Sequence, residues 1–184
     1  MPAPGQTFFL TEVPARKTWW AKQVTSSLYV AGRLSELQIK GASEDCFKSI
    51  VFMFDNKNES HFGQQRLLPT SEAIDLAKGS CDLEVDILCH DLDLCDDEQD
   101  VEKWCNQETV SRFGDKLEKL PAPMLLCSNT SYSAAFIALA SLLQKSKDGL
   151  ANKDDIMSGE EFYERAIGLG FDFTPLQDTV DLVN

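Results

Sequence analysis

The fold is decided by residues 123–143, PMLLCSNTSYSAAFIALASLL. A short apolar run predicts a buried strand, a polar segment carries Cys127, and a long apolar run predicts a helix. In an α/β fold, ligands bind at the carboxyl ends of the strands, where this segment lies. A helix beginning near Tyr132 would point its unpaired N–H groups and the positive end of its dipole at the segment. Both effects favour an anion and lower a thiol pKa, so Cys127 is a candidate nucleophile.

Strands and helices alternate along the rest of the chain. Apolar runs predict strands at 28–31, 48–54 and 83–89, and helices are predicted after Ser35, over 69–79, over 101–120 and over 159–169. We expect a polar loop over 55–66, a cap by Thr70 or Ser71 on the helix over 69–79, and a break near Gly114 in the helix over 101–120. This order predicts an α/β fold with a mainly parallel sheet of four to five strands flanked by helices. We expect a single domain over residues 1–184, with its core at about 24–176 and with residues 1–23 as an N-terminal extension. Within that extension, residues 7–14 are a candidate edge strand.

The composition restricts the partners. The 184 residues carry a net charge of −13, which disfavours binding to nucleic acid or to an anionic membrane. The sequence has no apolar run of membrane-spanning length and no signal-peptide pattern, so we expect a cytoplasmic protein with reduced cysteines. We predict neither a metal nor a cofactor, because no C-x-x-C pair occurs and the adjacent Cys89 and His90 would face opposite sides of a strand.

The cysteine segment lacks the groups that hold a phosphate. Between Leu120 and Gln144 there is no lysine, arginine or glycine. A cationic fork normally stabilises the transferred phosphoryl group, and glycine supplies the backbone angles of a phosphate-cradling loop. The hydroxyl groups of this segment can still donate hydrogen bonds, and Asn129 can adopt glycine-like angles. The alternative is that Cys127 is only a small buried hydrophobe.

Several segments together resemble the bacterial β-lactamase-hydrolase-like phosphatases. The similar segments cover about residues 24–176 and include LYVAGRLSELQIKGASEDCFKSIVFMF, DDEQDVEKW, the cysteine segment, and GEEFYERAIGLGFDFTPL. The resemblance implies the three-layer, cysteine-dependent fold of the tyrosine phosphatases. It also implies a cysteine that attacks phosphate, an arginine in the same loop that clamps it, and an aspartate that protonates the leaving group.

When the family's site residues are transferred by position, Cys127 takes the place of the nucleophile. The residues that normally assist it are absent. The arginine position falls on Tyr132 in the ungapped alignment and on Ser133 in the longer tyrosine-phosphatase spacing. The preceding histidine, the loop glycine and the arginine that ends the second strand are replaced by Leu126, Thr130 and Phe54. We expect a neutral anion-binding loop formed by Ser128, Asn129, Thr130, Ser131, Tyr132 and Ser133. Arg33 or Arg66 could supply a cation from elsewhere in the fold.

The acidic segment after the third predicted strand contains the candidate general acids. Asp91 and Asp93 are the preferred candidates, because they lie where the resemblance places the acid. For Asp96 and Asp97 we favour helix capping, since both precede a predicted helix.

Two functions from different classes remain open. The first is a catalytically impaired phosphatase-like domain that binds a phosphate-like anion, a small molecule or a protein partner. The second is an active cysteine-dependent phosphatase, or a sulfurtransferase that passes sulfur through a Cys127 persulfide. A redox sensor is a third hypothesis, based only on the number of cysteines.

Overall fold

A computed structural model describes residues 20–151 and 156–183. Its centre is a five-stranded sheet in the order β1-β2-β7-β3-β6. The strands of this sheet are β1 (Lys22–Thr25), β2 (Leu28–Ala31), β3 (Ser49–Phe54), β6 (Glu84–Cys89) and β7 (Met124–Cys127). Only β1 is antiparallel to its neighbour. The predicted fold class, a mainly parallel sheet flanked by helices, is confirmed.

Helices cover both faces of the sheet. On one face lie α1 (Glu36–Glu44) and α2 (Thr70–Gly79), whose buried side chains form one apolar cluster with the sheet. The other face is covered by a larger cluster built from α3 (Val101–Trp104), α4 (Gln107–Lys119), α5 (Tyr132–Lys147), α6 (Gly159–Leu169) and α7 (Gln177–Val183). The result is three layers, with β7 in the middle of the central one.

Helix α5 is the core of the second cluster. Every side chain from Ser133 to Leu143 is buried, because α4, α6 and the sheet all pack against this helix. The hydroxyl group of Ser141 donates to the carbonyl of Val110 on α4, at 3.1 Å, so this polar side chain is satisfied inside the core. A helix this deeply buried holds the segment that precedes it in a fixed position.

The local predictions differ from the structure at three places. The segment after β3, expected to be a loop, contains a small hairpin of β4 (Ser60–Phe62) and β5 (Gln65–Leu67). The long amphipathic helix is broken at Cys105 rather than near Gly114, because Asn106 caps α4 by accepting a hydrogen bond from the Thr109 N–H. The expected cap of α2 by a Thr70 or Ser71 side chain is wrong, since Pro69 precedes that helix without a side-chain bond.

The predicted edge strand at residues 7–14 lies outside the described residues. The prediction of a single domain over the whole chain stays a prediction. Within the described residues, no helix has the length and apolar content needed to cross a bilayer.

Candidate functional site

The cysteine segment connects the central strand to the central helix. Cys127 is the last residue of β7, paired in register with Ala31 on one side and Phe52 on the other. The following four residues, 128–131, form a tight connection to α5, which we call the Cys127 loop. Ser131 has a φ of 68°, so the left-handed conformation falls on this residue rather than on Asn129.

The thiol of Cys127 points into the apolar layer under α1 and α2. Residues alternate across a strand, so Leu125 and Cys127 face this layer whereas Met124 and Leu126 face α5. Cys127 is 2% exposed and borders a cavity of only about 10 Å³. Burial raises the pKa of the Cys127 thiol well above its ordinary value. The thiol is therefore neutral at physiological pH, and the space beside it is too small for a substrate.

A carboxylate from the acidic segment occupies the N–H groups of the Cys127 loop. Asp97 is fully buried, and its Oδ1 accepts from the Asn129 N–H at 3.1 Å. Its Oδ2 accepts from the N–H groups of Thr130 and Ser133, at 3.2 and 3.1 Å, and from the Ser133 hydroxyl at 3.0 Å. Asp97 thus supplies the negative charge that these donors favour.

This arrangement corrects the expectation that Asp97 caps a helix. Asp96 does not cap the helix either, because the N-cap of α3 is Asp100. The Asp96 Oδ1 instead stabilises the turn before the helix, where it accepts from the N–H groups of Glu98 and Gln99 at 2.9 and 2.8 Å. Asp97 instead turns inward, and the Trp104 indole N–H donates to its backbone carbonyl at 2.9 Å. The only sequence signal for Asp97 was its place in an acidic segment after β6, a strand that pairs with β3 and is separated from β7 by it.

Asn129 fastens the Cys127 loop to two neighbouring segments. Its Oδ1 accepts from Asn56 Nδ2 at 2.8 Å, and its Nδ2 donates to the carbonyl of Cys95. The side chain of Ser128 faces α5 and accepts from the Ala134 N–H at 3.2 Å. These contacts hold the loop in place.

Tyr132, the aligned position of the missing arginine, does not face the loop. Its ring packs edge-to-face against Trp104, Phe171 and Phe173, with centroids 6.3, 5.8 and 5.1 Å away. Burial raises the pKa of the Tyr132 hydroxyl. Tyr132 therefore belongs to the aromatic core, and of the two candidate arginine positions only Ser133 contacts the group held by the loop.

The two predicted general acids lie on the exposed surface of the acidic segment. Asp93 is exposed, and its Oδ1 accepts from the Lys57 N–H at 3.0 Å. Asp91 is also exposed and interacts electrostatically with Cys89 and Arg112, at the end of β6. Neither carboxylate lines the cavity that Cys127 borders.

Of Arg33 and Arg66, only Arg33 borders the cavity next to Cys127. Its Nη2 donates to the carbonyls of Asn58 and Leu68, at 2.6 and 2.9 Å, while its Nε is buried without a hydrogen-bond partner. Burial lowers the pKa of Arg33, and the charge of Asp93 partly opposes that effect. Arg66 points away and pairs with Glu59 and Glu72 on the surface.

A shallow groove of about 260 Å³ lies beside the Cys127 loop. Its walls include Trp20, Arg33, Phe62 and the loop residue Asn129. Phe62 is 78% exposed at the tip of the β4–β5 hairpin. For residues 20–151 and 156–183, no group of three or more His, Cys, Asp or Glu side chains is placed to hold a metal ion.

Comparison with known proteins supports the fold. No protein-family model matches the chain, and no curated protein matches it significantly in sequence. Three solved chains have similar folds. A candidate phosphatase from Neisseria meningitidis superposes with a TM-score of 0.59 at 13% identity, over 89% of this chain and 97% of that one. A candidate phosphatase of the DUF442 family from Shewanella putrefaciens gives 0.55 at 14% identity, over 89% and 90% of the two chains.

Proposed function

We propose that this chain is a phosphatase-like domain that has lost efficient turnover and acts by binding. The observation that carries the proposal is the position of Cys127, whose thiol is buried under α1 and α2 instead of open to a ligand. Its binding target would be a phosphate-like anion, a small molecule or a protein partner. The proposal keeps the cytoplasmic location expected from the sequence.

The protonation state of the Cys127 thiol supports the proposed loss of turnover. A cysteine that attacks a phosphate ester must be a thiolate. Because burial raises the pKa of Cys127, the reactive form is scarce at neutral pH. The adjoining cavity, at about 10 Å³, has room for about one water molecule and excludes a phosphate group.

The charges around the loop support the same conclusion. A transferred phosphoryl group needs positive charge, and loss of one stabilising donor costs about 10²–10³ in rate. Arg33 is the candidate replacement, but its Nη2 already serves the carbonyls of Asn58 and Leu68. The loop instead holds the negative carboxylate of Asp97.

The alternative of an active phosphatase or sulfurtransferase depends on the same thiol. Both reactions require a Cys127 thiolate that a substrate can reach, either for attack on phosphorus or for formation of a persulfide. The presence of Arg33 at the cysteine cavity is the one feature that favours this alternative. It would require Arg33 to exchange its two carbonyl partners for a substrate.

Turnover of p-nitrophenyl phosphate and of a phosphotyrosine peptide tests the proposal. We expect the wild type to release no more phosphate than the Cys127→Ser variant, assayed in parallel and verified to be folded. An Arg33→Lys variant should match both. Cys127-dependent turnover at an ordinary enzymatic rate, about 1 s⁻¹ or faster, would overturn the proposed function and favour the active enzyme.

A further inference from the structure

The four donors around Asp97 resemble a ligand-binding site that is filled from within. Three backbone N–H groups and one hydroxyl group converge on its two carboxylate oxygens, at 3.0–3.2 Å. Two of these N–H groups belong to the loop and the third to the first turn of α5. Such groups at a helix N-terminus form a site for an oxyanion. Here the bound anion is visible, and it is a side chain of the same chain.

Asp97 is held firmly in this position by its own segment. Its backbone carbonyl accepts from the buried indole of Trp104, whose ring lies in the core. Asp96 and Asp100 stabilise the turn on either side, because the Asp96 N–H donates to the Asp100 carboxylate at 2.8 Å. Leu94, just before this turn, has a φ of 55° and an exposed side chain, a conformation that an ordinary residue adopts only when its surroundings enforce it.

The acidic segment is attached to the Cys127 loop and to the end of β3. The Asp55 N–H donates to the carbonyl of Leu92 at 3.0 Å, and the Lys57 N–H donates to Asp93. Asn129 donates to the carbonyl of Cys95. Residues 92–97 therefore cover the loop as a continuous strap, and Asp97 is its innermost contact.

We propose that Asp97 is a built-in oxyanion ligand that blocks the Cys127 loop. Its carboxylate takes the donors that an external phosphate or carboxylate would need, and its negative charge repels such an anion. The residue is thus an autoinhibitory contact, which holds the strap closed over the loop. This inference rests on the proposed function, since a blocked loop is one reason why the phosphatase-like fold would lack turnover.

Removal of the carboxylate should open the site to small oxyanions. In Asp97→Ala the four donors lose their acceptor and a space about the size of a carboxylate appears. We expect formate, which matches this space, to raise the melting temperature of the variant saturably relative to chloride at equal ionic strength. Sulfate and phosphate should do the same only to the extent that residues 92–97 move aside to admit a tetrahedral ion. At a tenfold excess over Kd the rise should be about 3–6 °C. A formate response without a phosphate response would restrict the site to planar carboxylates.

The wild type and Asp96→Ala are the matched controls. Asp96→Ala removes a neighbouring carboxylate that serves only its own turn, so both proteins should respond to the four salts alike. In ¹H–¹⁵N spectra of Asp97→Ala, the N–H resonances of Asn129, Thr130 and Ser133 should move with added formate, and with phosphate if phosphate also raises the melting temperature. An anion response no larger than that of the controls would overturn the proposal.

Two further measurements decide the case in which Asp97→Ala does not fold in chloride. If Asp97→Ala folds in sulfate or formate but not in chloride, the anion has replaced the carboxylate and the proposal holds. If it folds in neither, Asp97→Asn decides. Its neutral amide is expected to shift the same three N–H resonances and to remain insensitive to phosphate, and unshifted resonances would reject Asp97 as their ligand.

This test is independent of turnover. Activity of the wild type on aryl phosphate would contradict the proposed function, whichever anions the Asp97 variants bind. Absence of activity together with an anion-insensitive Asp97→Ala would remove only the autoinhibitory role.

Discussion

Asn56 and Asn129 lie 73 positions apart in the chain, and their side-chain amides are joined by a hydrogen bond of 2.8 Å. Asn56 follows β3 and is 8% exposed, while Asn129 lies in the Cys127 loop. Asn56 is also fixed by the Thr70 hydroxyl, which accepts from its N–H at 2.9 Å. The pair therefore links the loop to the start of α2 through buried polar contacts.

We expect Asn129→Ala to destabilise the protein by about 1–3 kcal/mol, because Asn56 Nδ2 and the carbonyl of Cys95 both lose a partner. Urea unfolding of Asn129→Ala, Asn56→Ala and the double variant measures this cost and the coupling between the two side chains. Thr130→Ala, at an exposed position of the same loop, is the control and should change the free energy of unfolding little. Additive effects of the two asparagine variants would show that the bond contributes nothing.

The central sheet could be predicted because its strands are continuous apolar runs. Residues 49–54 are buried at every position, as expected for a strand covered on both faces. The β4–β5 hairpin could not be predicted, since its strands have three residues each, half of their side chains are exposed and none is fully buried. Without a buried face, a short strand leaves no hydrophobic pattern in the sequence.

The location of the candidate site could be predicted from the sequence, but the contacts made by Asp97 and Tyr132 could not. Strand parity places Cys127 on the same face as Leu125, so the direction of the thiol follows from the sequence once the layers are known. The role of Asp97 depends on contacts with residues 32–36 positions away, which no local pattern encodes. Tyr132 likewise takes its place from Phe171 and Phe173, at the far end of the chain.

At alkaline pH, the free energy of unfolding should depend on the buried thiol of Cys127. Its folded pKa is raised, so the folded protein keeps a proton that the unfolded chain releases above a pH of about 8.5. The unfolded state then binds fewer protons than the folded state, and stability falls as the pH rises further. We expect Cys127→Ala to reduce this slope by at most about 1.4 kcal/mol per pH unit. Denaturant unfolding between pH 8 and pH 10, on the order of that window, measures both slopes, and identical slopes would contradict a buried neutral thiol.

Alkylation gives a second measurement on the same residue. Cys46 is exposed and should react with iodoacetamide in the native protein. Cys127 should react only as fast as the protein opens, because its sulfur is buried under α1 and α2. Mass spectrometry of the labelled peptides over time separates the two rates, and equal rates would show that the thiol is accessible.

An arginine at residue 132 should not restore a phosphatase. Tyr132 packs among Trp104, Phe171 and Phe173, so an arginine there would lose these ring contacts and place a guanidinium group against an aromatic cluster, with only the more distant charges of Glu98 and Asp172 to offset it. We expect Tyr132→Arg to cost about 2–4 kcal/mol in urea unfolding and to release no phosphate from aryl phosphate. Tyr132→Phe keeps the ring contacts and should remain within about 1 kcal/mol of the wild type. A stable, active Tyr132→Arg variant would mean that residue 132 faces the loop.

Arg33 and Arg66 should differ sharply in their contribution to stability. Arg33 donates to the carbonyls of Asn58 and Leu68, one on each side of the β4–β5 hairpin, so Arg33→Ala leaves two acceptors without their donor. We expect a loss of about 1–3 kcal/mol in the free energy of unfolding, with the hairpin amides exchanging faster in deuterium exchange. Arg66→Ala removes only surface ion pairs with Glu59 and Glu72, whose strength is screened by water and salt, and should leave the unfolding midpoint almost unchanged. If Arg33→Ala were as stable as Arg66→Ala, its guanidinium would be free to serve a ligand at the Cys127 cavity instead.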